Sequence, residues 1–250
     1  MRKLIIVILL FISVTGFGQI IPGVVASSMS GGGGGSSLLT GLYGYWKMDE
    51  SGGTIIDAHD SYNDAATDIA YGQTPGIINT ALGFNGTSSS VQFGNVIKPT
   101  TGLSVSLWLK YSTPAAEEYP VCHTIYDTAW RGWRIAVLTD GNLEFRLCDG
   151  VDAEMLEKFD GGGAMGDNVW HHIVFTWDGT TAYTYHDNNK SAGSAWAHTI
   201  SYASLNELFI GRADSENNFY NGLMDEVAIW DRALTDTEVT TLFNKTPYPF

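Results

Sequence analysis

Asp57, Asp60, Asn63 and Asp64 place four hard oxygen donors within one short stretch of the chain. Calcium takes about six to eight such oxygens from carboxylates, amide carbonyls and backbone. In a chain of formal net charge −14, a divalent ion would also relieve local repulsion. The spacing is not that of an EF-hand, and the same residue types close turns by bonding their own backbone; both readings stand. Zinc finds no comparable set. His171 and His172 are neighbours on a predicted strand and so face opposite ways, while His59, His123, His186 and His198 are scattered. Glycosidic hydrolysis needs two carboxyls about 5–5.5 Å or about 6.5–9.5 Å apart, which alternating acids on one strand can aim into one cleft. No strand of this chain carries them. Glu154 and Glu157 lie near Glu144 and Asp160 in what reads as a polar loop, and Asp225 and Glu226, being adjacent, would face opposite sides of a regular strand. Neither Gly-x-Ser-x-Gly nor His-Glu-x-x-His occurs. The expectation is therefore no enzyme and no catalytic residue.

Aromatic residues offer a different chemistry. A flat ring face suits the C–H face of a pyranose, while Asn, Asp and Arg bond its hydroxyls. Tyr126, Trp130 and Arg131 occupy a predicted loop, Tyr-Asp-Thr-Ala-Trp-Arg-Gly-Trp, that supplies this mixture, and Trp196 beside His198 is a second place. These four are the expected ligand-binding residues, with a glycan or polysaccharide the favoured partner and a protein partner the alternative. Against this, sandwich aromatics generally pack inside, as expected for Trp46, Trp170 and Trp177. Trp133 either belongs to the loop or opens the next strand and is buried.

The elements that must hold these residues are β-strands. Hydrophobic residues make up 44% of the 250, charged residues only 16% against roughly 25% in an average domain, and Gly (29) and aromatics (12%) are abundant. That balance favours short strands and many turns over a helix bundle. The negative net charge excludes a nucleic-acid binder with a general basic footprint and electrostatic attachment to anionic lipid. Val105–Tyr111 alternates, with Val105, Leu107, Leu109 and Tyr111 on one face. Trp133–Leu138 and Leu143–Leu147 flank an Asp-Gly turn and read as a hairpin. Trp170–Trp177 with Ala182–His186, Leu208–Gly211 and Leu223–Trp230 complete the set. One helix is signalled over Asp236–Asn244: Thr235 and Glu238 form a capping box, Leu234 and Val239 a hydrophobic staple, and Pro247 follows.

The N-terminal segment reads as a leader. Arg2 and Lys3 precede an apolar run over Leu4–Val14, broken only by Ser13, and Gly16 and Gly18 suit a cleavage site. The run reaches only about 16 Å as a helix, short of a hydrocarbon core of about 30 Å. Residues 1–18 are thus expected to be a signal peptide, 19–37 a Gly/Ser-rich linker and 38–250 the folded module, secreted, periplasmic or at a cell surface, with no membrane span after cleavage. In that setting Cys122 and Cys148, the only cysteines, are expected to form a disulfide; two separate thiols are the alternative.

Five segments carry a family resemblance in register. They are Tyr45–Gly53 with Asp57 and Asn63-Asp64, Leu82–Gly86, Val105–Trp108, Trp170–Val174, and Asn221–Val227 continuing to Leu234. Over roughly Leu42–Phe243 the chain resembles a laminin-G-like, concanavalin A-type jelly roll. The resemblance implies an all-β, antiparallel two-sheet jelly-roll sandwich with one short C-terminal helix. It also implies that the early acidic loop and Asp225 approach one another, where some members hold structural calcium. The expected metal set is then Asp57, Asp60, Asn63, Asp64 and Asp225. The fold hosts lectins, accessory modules, adhesins and enzymes alike. The resulting expectation is an exported, non-catalytic carbohydrate-recognition module. The alternatives are a structural or protein-interaction module of adhesin or virion-surface kind, and a polysaccharide-active enzyme with an unrecognised site.

Overall fold

The computed structural model describes residues 38–244 apart from 60, 61, 63, 95, 127, 152–153, 160–164, 204–206 and 214–217; the expected signal peptide and linker lie outside the described residues. The chain forms β1 (Leu42–Trp46), β2 (Thr54–Ile55), β3 (Asp64–Thr67), β4 (Ala70–Gln73), β5 (Ala81–Asn85) and β6 (Ser90–Gln92). The long central strands follow: β7 (Leu103–Tyr111), β8 (Glu118–Tyr126), β9 (Trp130–Val137), β10 (Leu143–Asp149), β11 (Glu154–Phe159) and β12 (His171–Trp177). Last come β13 (Thr181–His186), β14 (Asn189–Lys190), β15 (Ser194–Ala195), β16 (Phe209–Ile210), β17 (Asn221–Trp230) and helix α1 (Asp236–Asn244).

Two antiparallel sheets result. One runs β14-β13-β12-β7-β17-β5-β4, with β1 on β17 and β15 on β13; the other runs β11-β10-β9-β8-β16-β6-β3-β2. Neighbours distant in sequence, such as β7 and β17, mark the jelly-roll crossovers. The period-2 pattern decides what faces inward. Leu103, Val105, Leu107 and Leu109 of β7 and Ile173, Phe175 and Trp177 of β12 meet Trp133, Ile135, Val137, Phe145 and Leu147 of the opposite sheet in one core. The outer face of the first sheet is covered too. Val174, Tyr185, Ala228 and Trp230 pack with Leu234, Val239 and Leu242, and Phe243 stacks on Trp108.

The helix has the bounds expected of it. Thr235 N–H donates to Glu238 Oε2 at 2.8 Å and Glu238 N–H donates to Thr235 Oγ1 at 3.3 Å, the reciprocal box. Arg232 adds a two-pronged bond to Glu238 at 2.7 and 2.9 Å. Burial pushes the Glu238 carboxyl up, but these donors outweigh it and bring it to about 2. No helix among the described residues is long and apolar enough to cross a membrane.

Three expectations are corrected by the register. Cys122 and Cys148 are both buried and no disulfide joins them. They sit on β8 and β10 with β9 between, Cys122 opposite Arg134 and Cys148 opposite Gly132. Two strand spacings, about 9.5 Å before the two-residue offset is added, exceed the roughly 4.4–6.8 Å between Cα atoms that a disulfide spans. Glu154 and Glu157 lie on β11 rather than in a loop. Trp170 stands outside the core, half-buried just before β12, with its indole N–H donating to Pro75 O at 3.3 Å.

Candidate functional site

The β8–β9 hairpin carries the predicted aromatic residues. Tyr126 and Trp130 are cross-strand partners at its tip, so their side chains leave the same face, and their ring centroids lie 5.2 Å apart. Tyr126 is 58% exposed and Trp130 half-buried. Behind Trp130, the guanidinium of Arg134 lies 5.4 Å from its ring centroid and 4.8 Å from that of Tyr119. Glu117 at 3.3 Å and Glu144 at 3.9 Å hold that guanidinium. Trp130 is thus fixed from beneath by a buried, paired cation. Trp133, three residues on, points inward and is fully buried.

The other two predicted binding residues are not brought to this tip. Arg131 follows Trp130 on the strand and so leaves the opposite face. Its Nη1 donates to Ser201 Oγ at 2.8 Å, near Asp149, which pairs with His198 at 3.0 Å. Trp196 is 5% exposed, packs at 5.3 Å edge-on against Trp177 and accepts the Trp177 indole N–H at its own carbonyl. As a core ring it presents no platform, and that expectation is corrected.

The acidic residues are divided between two tasks. Asp57 Oδ1 accepts the N–H of Tyr45 and of His59, both at 2.9 Å, and Oδ2 accepts that of Tyr62 at 3.4 Å, so this carboxylate closes its own loop. Asp64 lies on β3, and residues 60 and 63, Asp60 and Asn63, lie outside the described residues. Asp225 turns elsewhere: its Oδ2 accepts Ile77 N–H at 2.6 Å and Ile78 N–H at 3.2 Å. Among the described residues Asp57, Asp64 and Asp225 do not converge on one ion-sized space.

Asp225 and Glu226 were expected on opposite faces of β17. A β-bulge between Asp225 and Ala228 changes that. Glu226 adopts φ 52°, and its carboxylate accepts the Tyr45 hydroxyl on the outer side of the sheet. Both acids are buried, and Asp225 Oδ1 has no hydrogen-bond partner among the described residues. Burial, with the neighbouring Glu226 adding to it, pushes Asp225 up to about 8. Burial likewise raises Glu226 to about 7, against the Tyr45 hydrogen bond. Such enclosed acids, Asp225 held by backbone N–H groups and Glu226 by the Tyr45 hydroxyl, cannot flank a glycosidic bond.

Two features escaped the sequence. The first is a cleft of about 360 Å³ between β4, β5, β7 and β17, edged by Gln73, Lys110, Ser112, Asn168 and Asn221. Its residues come from distant segments, and no spacing betrays them. The second is a cluster able to coordinate a metal ion: His171, His186 and Asp187. Ile173 pairs with His186 across β12–β13, which puts His171, two residues before Ile173, on the His186 face. Asp187 and Asn188, at φ 46° and 67°, form the two-residue turn into β14, a signal present in the Asp-Asn dipeptide. Hydrogen bonding to Asp187 raises the His171 imidazole, while burial lowers that of His186.

Two antiparallel sheets in jelly-roll order define the class of fold, an all-β sandwich. Residues 85–240 match the model of the concanavalin A-like lectin/glucanases superfamily, and the chain belongs to that superfamily. No curated protein matches the chain. Among solved structures, it is similar to the binding domain of Paraclostridial Mosquitocidal Protein 1 (TM-score 0.66, 20% identity, 84% of this chain and 53% of that one). It is also similar to the ligand-binding domain of botulinum neurotoxin serotype D in complex with N-acetylneuraminic acid (0.63, 15%, 84% and 52%). A third is the binding domain of botulinum neurotoxin DC in complex with rat synaptotagmin II (0.63, 14%, 84% and 52%). The chain spans about half the length of these structures, and at such identities the likeness concerns the fold.

Proposed function

We propose that the chain is an exported, non-catalytic recognition module that binds carbohydrate on the Tyr126–Trp130 face of the β8–β9 hairpin. The observation that carries this reading is the pair of rings at the tip, one 58% exposed and the other held from behind by a paired arginine. A ring that is already oriented loses little freedom when a pyranose stacks on it. A neighbouring fold bound to N-acetylneuraminic acid supports acidic sugars as one class to test. Another, bound to a synaptotagmin, supports the protein-partner alternative.

The test is a glycan array carrying neutral and sialic acid-terminated glycans, followed by calorimetry on the strongest binder. Tyr126→Ala and Trp130→Ala should each weaken binding about tenfold, equivalent to about 1.4 kcal/mol, in chains that still fold. Unchanged affinity in folded variants would remove the hairpin as the site and turn attention to the Lys110 cleft. A stable protein complex with no glycan signal would favour the interaction reading.

Calcium belongs to the same proposal only at the 57–64 loop, supported by the oxygen chemistry of Asp57, Asp60, Asn63 and Asp64 and without Asp225. Saturating calcium should then stabilise the fold by about 2.7 kcal/mol at a hundred times Kd. A melting temperature indifferent to both calcium and a calcium-selective chelator would remove it.

A further inference from the structure

The β12–β13 edge holds a cluster that carbohydrate recognition does not use. His171 Nδ1 lies 2.8 Å from Asp187 Oδ2 and 3.0 Å from His186 Nε2, and the latter two atoms are 3.4 Å apart. These three atoms form a small triangle contributed by a strand end and a tight turn. Zinc–nitrogen and zinc–oxygen bonds of about 2.0–2.2 Å in a tetrahedron require ligand atoms about 3.3–3.5 Å apart. The triangle therefore needs to open by only about half an ångström.

The surroundings fit ligation as well. The second nitrogen of His171, Nε2, lies 3.2 Å from Asp167 Oδ1, so a carboxylate receives the proton of the ring and fixes the other nitrogen as the ligand. The second oxygen of Asp187 accepts His172 N–H at 2.8 Å, which holds that carboxylate in place. Asn188, next in the turn, is tied to the helix through the Thr240 hydroxyl at 3.0 Å, and Asp187 N–H donates to His172 O at 2.9 Å. The turn that aims Asp187 is thus anchored on both sides.

We propose that His171, His186 and Asp187 bind one zinc ion, with Asp167 as the outer partner of His171 and the fourth coordination position left for water or a ligand atom. Two imidazoles and one carboxylate favour zinc over calcium, which takes oxygen donors almost throughout. The site is independent of the Tyr126–Trp130 reading, which it neither requires nor supports.

The experiment uses the untagged chain, stripped of metal by chelation and titrated with zinc alone in a calorimeter. One ion per chain is expected, and cobalt added to the stripped chain should give the visible absorption of a tetrahedral site. His186→Ala should abolish both signals. Asp187→Asn, less disturbing to the turn, should weaken zinc binding at least tenfold. Asp167→Asn should keep the stoichiometry at one and weaken binding about 10–100-fold, as expected for an outer-shell partner. Thermal unfolding of the metal-free variants establishes that each is folded. No one-to-one binding by the parent chain, or unchanged binding by folded His186→Ala and Asp187→Asn, would overturn the proposal.

Discussion

Trp133→Ala is expected to destabilise the fold by about 3–5 kcal/mol, the range for deleting a large buried aromatic. The ring is fully buried on β9, lies parallel to Phe145 of β10 with centroids 6.3 Å apart, and meets His123 edge-on at 6.0 Å. It belongs to the core shared by both sheets, so its removal leaves a cavity that neighbouring rigid strands cannot close. Equilibrium urea unfolding measures the difference. Tyr126→Ala, a few residues away on the same hairpin but at its exposed tip, should change stability by less than about 0.5 kcal/mol. A loss from Trp133→Ala as small as that from Tyr126→Ala would mean that the strand parity assigned to β9 is wrong.

A second large effect is expected from Asp225→Asn, and it depends on pH. An acid whose native pKa lies above its unfolded one holds its proton more tightly in the folded state. Its stabilising contribution is fully present below the unfolded value, near pH 4, and is lost as pH climbs through the folded value, about 8 for Asp225. The native fold thus bears a growing cost for ionising a buried carboxyl beside Glu226. Between pH 4 and pH 8 this amounts to something on the order of 3–5 kcal/mol. Asparagine keeps an oxygen for Ile77 and Ile78 N–H but cannot ionise. Melting curves of the parent should therefore fall away from those of Asp225→Asn as pH rises from 5 to 9, and the two should converge towards pH 4. Parallel curves across that range would show that Asp225 is not buried as an acid.

Most of the local structure was legible in the chain. The capping box at Thr235 and Glu238 marked the start of α1, because its two hydrogen bonds lie within four residues, and Pro247 marked where it must stop. The alternation in Val105–Tyr111 and the Asp140-Gly141 turn placed β7, β9 and β10 for the same reason: hydrophobic period and turn chemistry act between near neighbours. The fold class followed from five such segments in order. Trp130 and Tyr126 were legible as a pair near a turn, although not as cross-strand partners.

What could not be read depended on register and on irregularity. A strict two-residue period separated Asp225 from Glu226; one bulge, with Glu226 at φ 52°, put both on the same side of the sheet. An even count of cysteines in a chain expected to be exported suggested a disulfide, but the insertion of β9 between their strands keeps Cys122 and Cys148 apart. His171 and His186 lay fifteen positions apart with no metal-binding motif, and only the β12–β13 pairing brings them within 3.0 Å. Trp196 and Trp170 exchanged their expected places, since burial of a ring is settled by what packs over it and not by its neighbours in sequence. The sequence by itself therefore determined which segments become strands, turns and the helix, because those choices are made by interactions within a few residues. The tertiary structure alone decided which acids, imidazoles and rings share a site, because that depends on strand order, register and a single extra residue in β17.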